Sequence, residues 1–261
     1  MKKYELTAEF IEKWGKKLFR IKALISFGSV EVGELGGYVE KEDNLAQDGN
    51  AWVYGNARVC GDAEVYGDAR VCGNAEVYGD ARVCGNAEVY GNAEVYGNAR
   101  VYGDAEVYGD AWVYGNAEVY GNARVCGDAE VYGDARVCGN AWVYGNARVC
   151  GDAEVYGNAR VCGDAEVYGD AKVCGDADYL LIGRIGSRFS FTTFFKNKDK
   201  GITVSCGCFL GTIAEFRAKV SDTHGNNKHA KIYNLAADMA ELQILGEEHF
   251  ENLNTNKSEP F

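Results

Sequence analysis

The sequence predicts a mainly β protein: a repeat solenoid with an N-terminal β cap and a small C-terminal α+β domain. Three observations predict it. From Ala51 to Asp176 the chain reads as 21 copies of A-x-V-[YC]-G-[DN] with no insertion. A strict period of this kind marks a structure that stacks one small unit on the next. The segments on either side abandon the repeat for strand-like and helix-like patterns. Glycine numbers 34 against a single proline, which excludes collagen-like and polyproline chains and leaves glycine for turns.

Residues 1–38 are expected to form the cap. Within them "KLFRIKALISF" reads as a strand, and Leu18, Ile21, Leu24, Ile25 and Phe27 are available to cover the open end of the solenoid. Such an end otherwise exposes apolar core and unpaired backbone. Val39, Leu45 and Ala51 lie six apart and read as one inward slot, so "GGYVEKEDNLAQDGNA" is expected to be an imperfect first coil and the solenoid to span 39–177.

In each hexad the x-V-[YC] triplet suits a short strand with valine facing one way and its neighbours the other. Alanine is small enough to share the interior near a corner, and Gly-Asp or Gly-Asn supplies the turn. The pattern V-[YC]-G-[DN]-A-x resembles the hexapeptide repeat of left-handed parallel β-helices. In that family an aliphatic residue and a small residue four positions later face inward, and three hexads make a triangular coil of 18 residues. The resemblance implies about seven regular coils here, a shaft of roughly 34 Å at a strand spacing near 4.8 Å. A four-sided pentapeptide helix would need a period of five, which never occurs.

Outward charges alternate with a period of twelve while the coil period is 18, so Arg58 is expected over Glu76, Glu64 over Arg82 and Arg70 over Glu88. Exposed cross-strand pairs of this type contribute about 0.2–1 kcal/mol each. No repeat cysteine has another at i+18, which argues against ladders of disulfides or thiolate-bound metal. The Tyr/Cys alternation breaks in the middle: Tyr78, Tyr96, Tyr114 and Tyr132 form an uninterrupted column with Trp112 beside it, a candidate protein-interaction surface. Trp52 and Trp142 fall in the outward slot of another face. The Asp and Asn columns, such as Asp134, Asp152 and Asp170, read as turn formers because they lack the loops of a calcium cage. Regular threonine arrays of the ice-binding kind do not occur.

After Asp176 "YLLIGRI", "FSFTTFF" and "GITVSC" read as strands, "GTIAEFRAKV" as a helix opened by a Thr212/Glu215 capping box, and "KHAKIYNLAADMAELQIL" as a second helix. Together they predict an α+β domain over 178–246 and a polar tail over 247–261. Phe189, Phe191, Phe194, Phe195, Phe209 and Phe216 are expected in its core. The one chemistry-bearing cluster is Cys206, Cys208, His224 and His229. It offers enough donors for zinc, though C-x-C is not the usual knuckle spacing; otherwise no cofactor is expected. A cysteine with His224 could also pair as nucleophile and base.

The shaft holds 9 Lys and Arg against 20 Asp and Glu, −11 of the chain's −12, which disfavours direct binding to nucleic acid. No stretch suits a membrane span and "MKKYELTAEFIEKW" lacks the apolar core of a signal peptide, so a cytoplasmic location and reduced cysteines are expected. Many hexapeptide solenoids are acyltransferases whose site uses a histidine at a coil edge with an inserted loop or a neighbouring subunit. This shaft has neither histidine nor insertion. Taken whole, "LFRIKALISFGSVEVGELGGYVEKEDNL", the shaft and "ITVSCGCFLGTIAEFRAKVSDTHGNNKHAKIY" resemble bacterial and prophage hexapeptide-repeat proteins described as transferase-like. That resemblance implies a bacterial host cell and a host or phage protein partner, with self-association in reach. The expected function is a non-enzymatic scaffold or interaction module, in phage-host conflict; the alternatives are an acyltransferase-like enzyme and an acidic decoy of a nucleic-acid-binding protein.

Overall fold

The computed structural model describes residues 1–247; the tail expected over 247–261 lies outside them but for Glu247. Strands β1 (Tyr4–Lys13) and β2 (Lys16–Ala23) form an antiparallel hairpin, and β3 (Leu35–Val39) pairs antiparallel with β2. The strands β4 (Trp52–Val53) to β24 (Lys172–Val173) follow, each two residues long and six apart. They stack in three parallel sheets, so the shaft is a three-sided parallel β-solenoid of about eight turns including the one that β3 begins.

Each hexad pairs with the one 18 residues later. Glu94 N–H donates to Ala111 C=O (3.0 Å), Tyr96 N–H to Val113 C=O (3.0 Å) and Asn98 N–H to Gly115 C=O (2.8 Å), and the pattern recurs along the shaft. The corners are thus bonded as the walls are. Every repeat Val and Ala is fully buried, so the interior is a column of these two side chains. Gly97 shows why the corner residue is glycine. Its φ is +70°, and a Cβ there would lie 3.1 Å from both N and O of Gly115 in the next coil. A side chain would meet an unfavourable backbone conformation and a close neighbour together.

The first coil departs from the expected spacing. Val39 stacks on Val59 and Leu45 bridges to Val65, an offset of twenty residues, while Ala51 falls in the alanine column. All three are buried, but they do not share one slot: two extra residues enter between Leu45 and Val53. The cap needs this slack, because Lys3 reaches into the turn and donates through Nζ to Asp48 C=O (3.1 Å) and Ala51 C=O (3.0 Å). Tyr4 Oη donates to Glu42 C=O (2.7 Å) and Leu45 C=O (2.8 Å). Lys3 is almost completely buried, and burial pushes its pKa down to about 8.

Trp52 corrects a second expectation. It is fully buried beneath the cap, its ring edge-on to Tyr4 (6.0 Å) and Phe27 (5.3 Å). The outward slot of the first rung is therefore interior once the cap closes over it.

After the last rung, β25 (Tyr179–Ile185), β26 (Ser190–Lys196), β27 (Ile202–Cys206) and β28 (Phe209–Thr212) form an antiparallel sheet, followed by α1 (Ile213–His224) and α2 (Lys228–Leu245). This sheet is apolar on both faces. Tyr179, Leu181 and Phe195 join the end of the Val/Ala column, and Leu180, Ile182, Phe194, Ile202 and Val204 pack under the helices with Phe216 and Tyr233. The domain is accordingly a second lid. Phe189, expected in the core, is 72% exposed at a turn with φ of +49°. Thr212 and Glu215 form the capping box that opens α1.

The two lids meet chemically opposite ends. Backbone N–H groups of the x, [YC] and [DN] positions point along the shaft toward its C-terminal end. The last rungs therefore present donors and the first rungs acceptors. At the C-terminal end oxygen acceptors answer: Thr193 Oγ1 takes Glu166 N–H (3.1 Å), and Asp176 takes Arg160 N–H (2.8 Å). At the N-terminal end Lys3 and Tyr4 supply the donors.

Candidate interaction face

The face that begins with β3 carries the tyrosine column. Tyr78, Tyr96, Tyr114 and Tyr132 lie at the third position of their triplets and are held one coil apart by the ladder, so their rings stack at 4.8–4.9 Å with planes within 5° of parallel. The strand spacing sets that distance. All four are half-buried. Trp14, at the tip of the β1–β2 hairpin, sits 5.1 Å from Tyr78 with its ring tilted by 43°, and closes the N-terminal end of the column. Trp112 stands exposed in the neighbouring column between Glu94 and Glu130.

The hairpin tip is fastened to the face. Lys13 donates to Glu76, which also takes Arg58 Nη1 at 2.7 Å. Leu18 packs with Tyr38 and Cys60; burial raises the Cys60 thiol to about 11, so it stays protonated. Strand β1 lies outside the segment that reads as strand in the cap. The alternation in "YELTAEFIEK" was the available signal.

The same break that creates the tyrosine column also disturbs the charge alternation. Glu76 lies beside Glu94, Glu88 beside Glu106 and Arg82 beside Arg100. Tyrosine hydroxyls relieve the carboxylates: Tyr78 Oη donates to Glu94 (2.8 Å) and Tyr90 Oη to Glu106 (3.0 Å). Tyr114 makes the equivalent bond to Glu130 (3.2 Å). Burial and this carboxylate together push the Tyr114 phenol up to about 12. Outside the break Arg58–Glu76, Glu64–Arg82 and Arg70–Glu88 pair across coils as expected. The Asp and Asn corners form side-chain ladders of their own, including Asn98 to Asn116 (3.0 Å) and Asn116 to Asp134 (2.9 Å).

The Cys/His candidates come together only in part. Cys206 accepts from Thr192 Oγ1 (3.2 Å) and lines, with His224 and Tyr233, an apolar pocket of about 100 Å³. The rings of His224 and His229 are 5.9 Å apart, and Cys208 is exposed at the β27–β28 turn. Among the described residues no set of three or more His, Cys, Asp or Glu side chains gathers into a metal-binding group. The C-x-C spacing had concealed a hairpin: with Gly207 at the turn, the two cysteines fall on either side of it, and Phe209 pairs back onto Cys206.

A repeat family described as YdcK Beta solenoid repeat matches residues 69–85, 93–109, 99–115, 129–145 and 135–151. All five matches fall inside the shaft. No curated protein matches the chain. The ladder and these matches define a β-helix repeat protein, capped at both ends by its own non-repeating segments. Among the described residues no helix is long and apolar enough to cross a membrane.

Proposed function

We propose that the protein is a rigid, non-enzymatic scaffold that presents its tyrosine-bearing face to a protein partner. The observation that carries this reading is the stack of Tyr78, Tyr96, Tyr114 and Tyr132, closed at one end by Trp14 and flanked by exposed Trp112. Tyr96 and Tyr114 are each held between stacked rings of the coils before and after them, so little side-chain freedom is lost on contact. Glu94 and Glu130 flank Trp112, which favours a partner with apolar and basic side chains. The prophage setting implied by the resemblance directs the search to a bacterial host cell.

The test is affinity capture from host lysate with mass spectrometry, using the full chain and a Tyr96→Ser/Tyr114→Ser variant whose circular dichroism matches it. Loss of a captured protein from the variant supports the reading. Identical capture by both chains overturns it. An acyltransferase-like reading draws on Cys206 and His224 lining one pocket, but its volume of about 100 Å³ falls well below the roughly 300 Å³ at which small-molecule sites begin. The scaffold reading is therefore preferred.

A further inference from the structure

Helix α2 buries Ala230, Tyr233, Ala236, Ala237, Ala240 and Ile244 against its own domain. Its opposite face is not polar. Ile232, Leu235, Met239 and Leu242 are 38%, 63%, 57% and 43% exposed. Their spacing of three, four and three residues is that of the a and d positions of a helix-helix seam. A lone solvated helix would carry charge there. The four side chains together leave roughly 400 Å² of contiguous apolar surface, as large as the largest patch on a typical monomer.

The charges beside the seam select the occupant. Lys228 and Lys231 are exposed at its N-terminal end, and Glu247 is exposed just beyond its C-terminal end. A parallel copy would bring lysine beside lysine. An antiparallel copy, turned about a two-fold axis near position 237, brings Ile232 against Leu242 and Leu235 against Met239. It also places Lys228 opposite the turn that carries Glu247 and opposes the two helix dipoles. Asp238, on the seam's flank, is already paired with Arg217 (2.7 Å) and does not oppose this approach.

We infer that α2 is a self-association surface, and that two copies of this chain pair antiparallel along Ile232, Leu235, Met239 and Leu242. The pairing would join two shafts through their C-terminal lids. It stands independently of the scaffold reading, because it uses no residue of that face. Two copies would bury about 800 Å² through these side chains alone, below the ~1,200 Å² of a standard interface. The expected dissociation constant is accordingly micromolar, on the order of 10–100 µM.

Sedimentation equilibrium of the full chain between about 1 and 300 µM, a range set around that expectation, tests it. The expected result is a monomer-dimer equilibrium that Leu235→Glu, at an already exposed position, abolishes while the circular dichroism spectrum stays unchanged. Lys228→Glu and Glu247→Lys should each weaken the dimer several-fold, and the double variant should restore it. A wild-type chain that stays monomeric throughout the range overturns the inference. So does a dimer that Leu235→Glu leaves intact. Failure of the charge reversal to rescue overturns the antiparallel arrangement.

Discussion

Replacing Gly97 by alanine isolates what the corners of the shaft require. The new methyl group meets two separate obstacles. At φ of +70° an L-residue carries a conformational cost of about 1–2 kcal/mol. The same Cβ would lie 3.1 Å from the N and O of Gly115, so the next coil must move by a few tenths of an ångström, an overpacking cost of about 1–2 kcal/mol. Two other glycines share the first obstacle and lack the second. Gly169 has φ of +65° and nothing within 4 Å, and Gly55 has φ of +60° with only the Gly73 carbonyl at 3.7 Å. Gly97→Ala should therefore destabilise by about 2–4 kcal/mol and each of the other two by about 1–2 kcal/mol. Because Gly55 and Gly169 lie near opposite ends of the shaft, fraying at one end cannot produce the same result at both. The assay is urea unfolding followed by far-ultraviolet circular dichroism, with the midpoints of the three variants compared at matched slope. Equal losses for all three would show that coil-to-coil approach is not what fixes glycine at the corners, and the reasoning would fail.

The Tyr114 phenol is held at about 12 against an ordinary value near 10. Its protonated form is favoured by the fold, so its contribution is complete below pH ~10 and is lost as pH rises from ~10 to ~12. A tyrosinate absorbance titration should show a late fraction that rises together with loss of the β signal; ionisation of all 17 tyrosines near pH 10 with the fold intact would contradict this. Lys3 has the reverse sign: its folded pKa is depressed to about 8, so its linkage term increases stability as pH rises from 8 to about 10.5. Lys3→Met should remove that slope in thermal melts across the window, and an unchanged slope would refute the assignment. Arg217 binds Asp238 and the nearly buried Glu241, both at 2.7 Å. Arg217→Met should cost about 3–5 kcal/mol by leaving a carboxylate unpaired, and adding Glu241→Gln should recover part of it, measured as shifts in the unfolding midpoint.

The shaft was legible because one rule is written into it 21 times. Each position has a single environment, and spacing alone decides which residues touch. The interior Val and Ala, the opposite-sign pairs across coils and the tyrosine column all follow from 6, 12 and 18. The failures lie where non-repeating residues meet the shaft. Trp52 occupies an outward slot by period and an inner one by packing, because β1 and β2 fold over it. The slip between Leu45 and Val53 preserves burial of Leu45 while changing its column, so an apolar pattern alone does not register it. In the C-terminal domain three of the four strands and both helices are legible as local patterns, while β28 is not, because four residues ending at a helix cap carry too little alternation to mark a strand. That Phe195 faces the shaft while Phe194 faces the helices is settled by where the sheet docks. Phe189 shows the converse: in "FSFTTFF" it reads as one more inward aromatic, yet the turn before β26 directs it to solvent.

Three hexads complete one coil, and this gives the length of the chain a rotational meaning. Gain or loss of 18 residues would lengthen or shorten the shaft by one strand spacing and leave the C-terminal lid above the same face. Gain or loss of six would instead swing that lid by a third of a revolution about the long axis. The hairpin tip clasped to Tyr78 fixes the zero of this dial. With that origin set, the bearing of α2 relative to the tyrosine face depends on the number of hexads modulo three. A coding region so repetitive can shift register by duplication or deletion, and each step would re-aim one surface against the other without altering a residue of either.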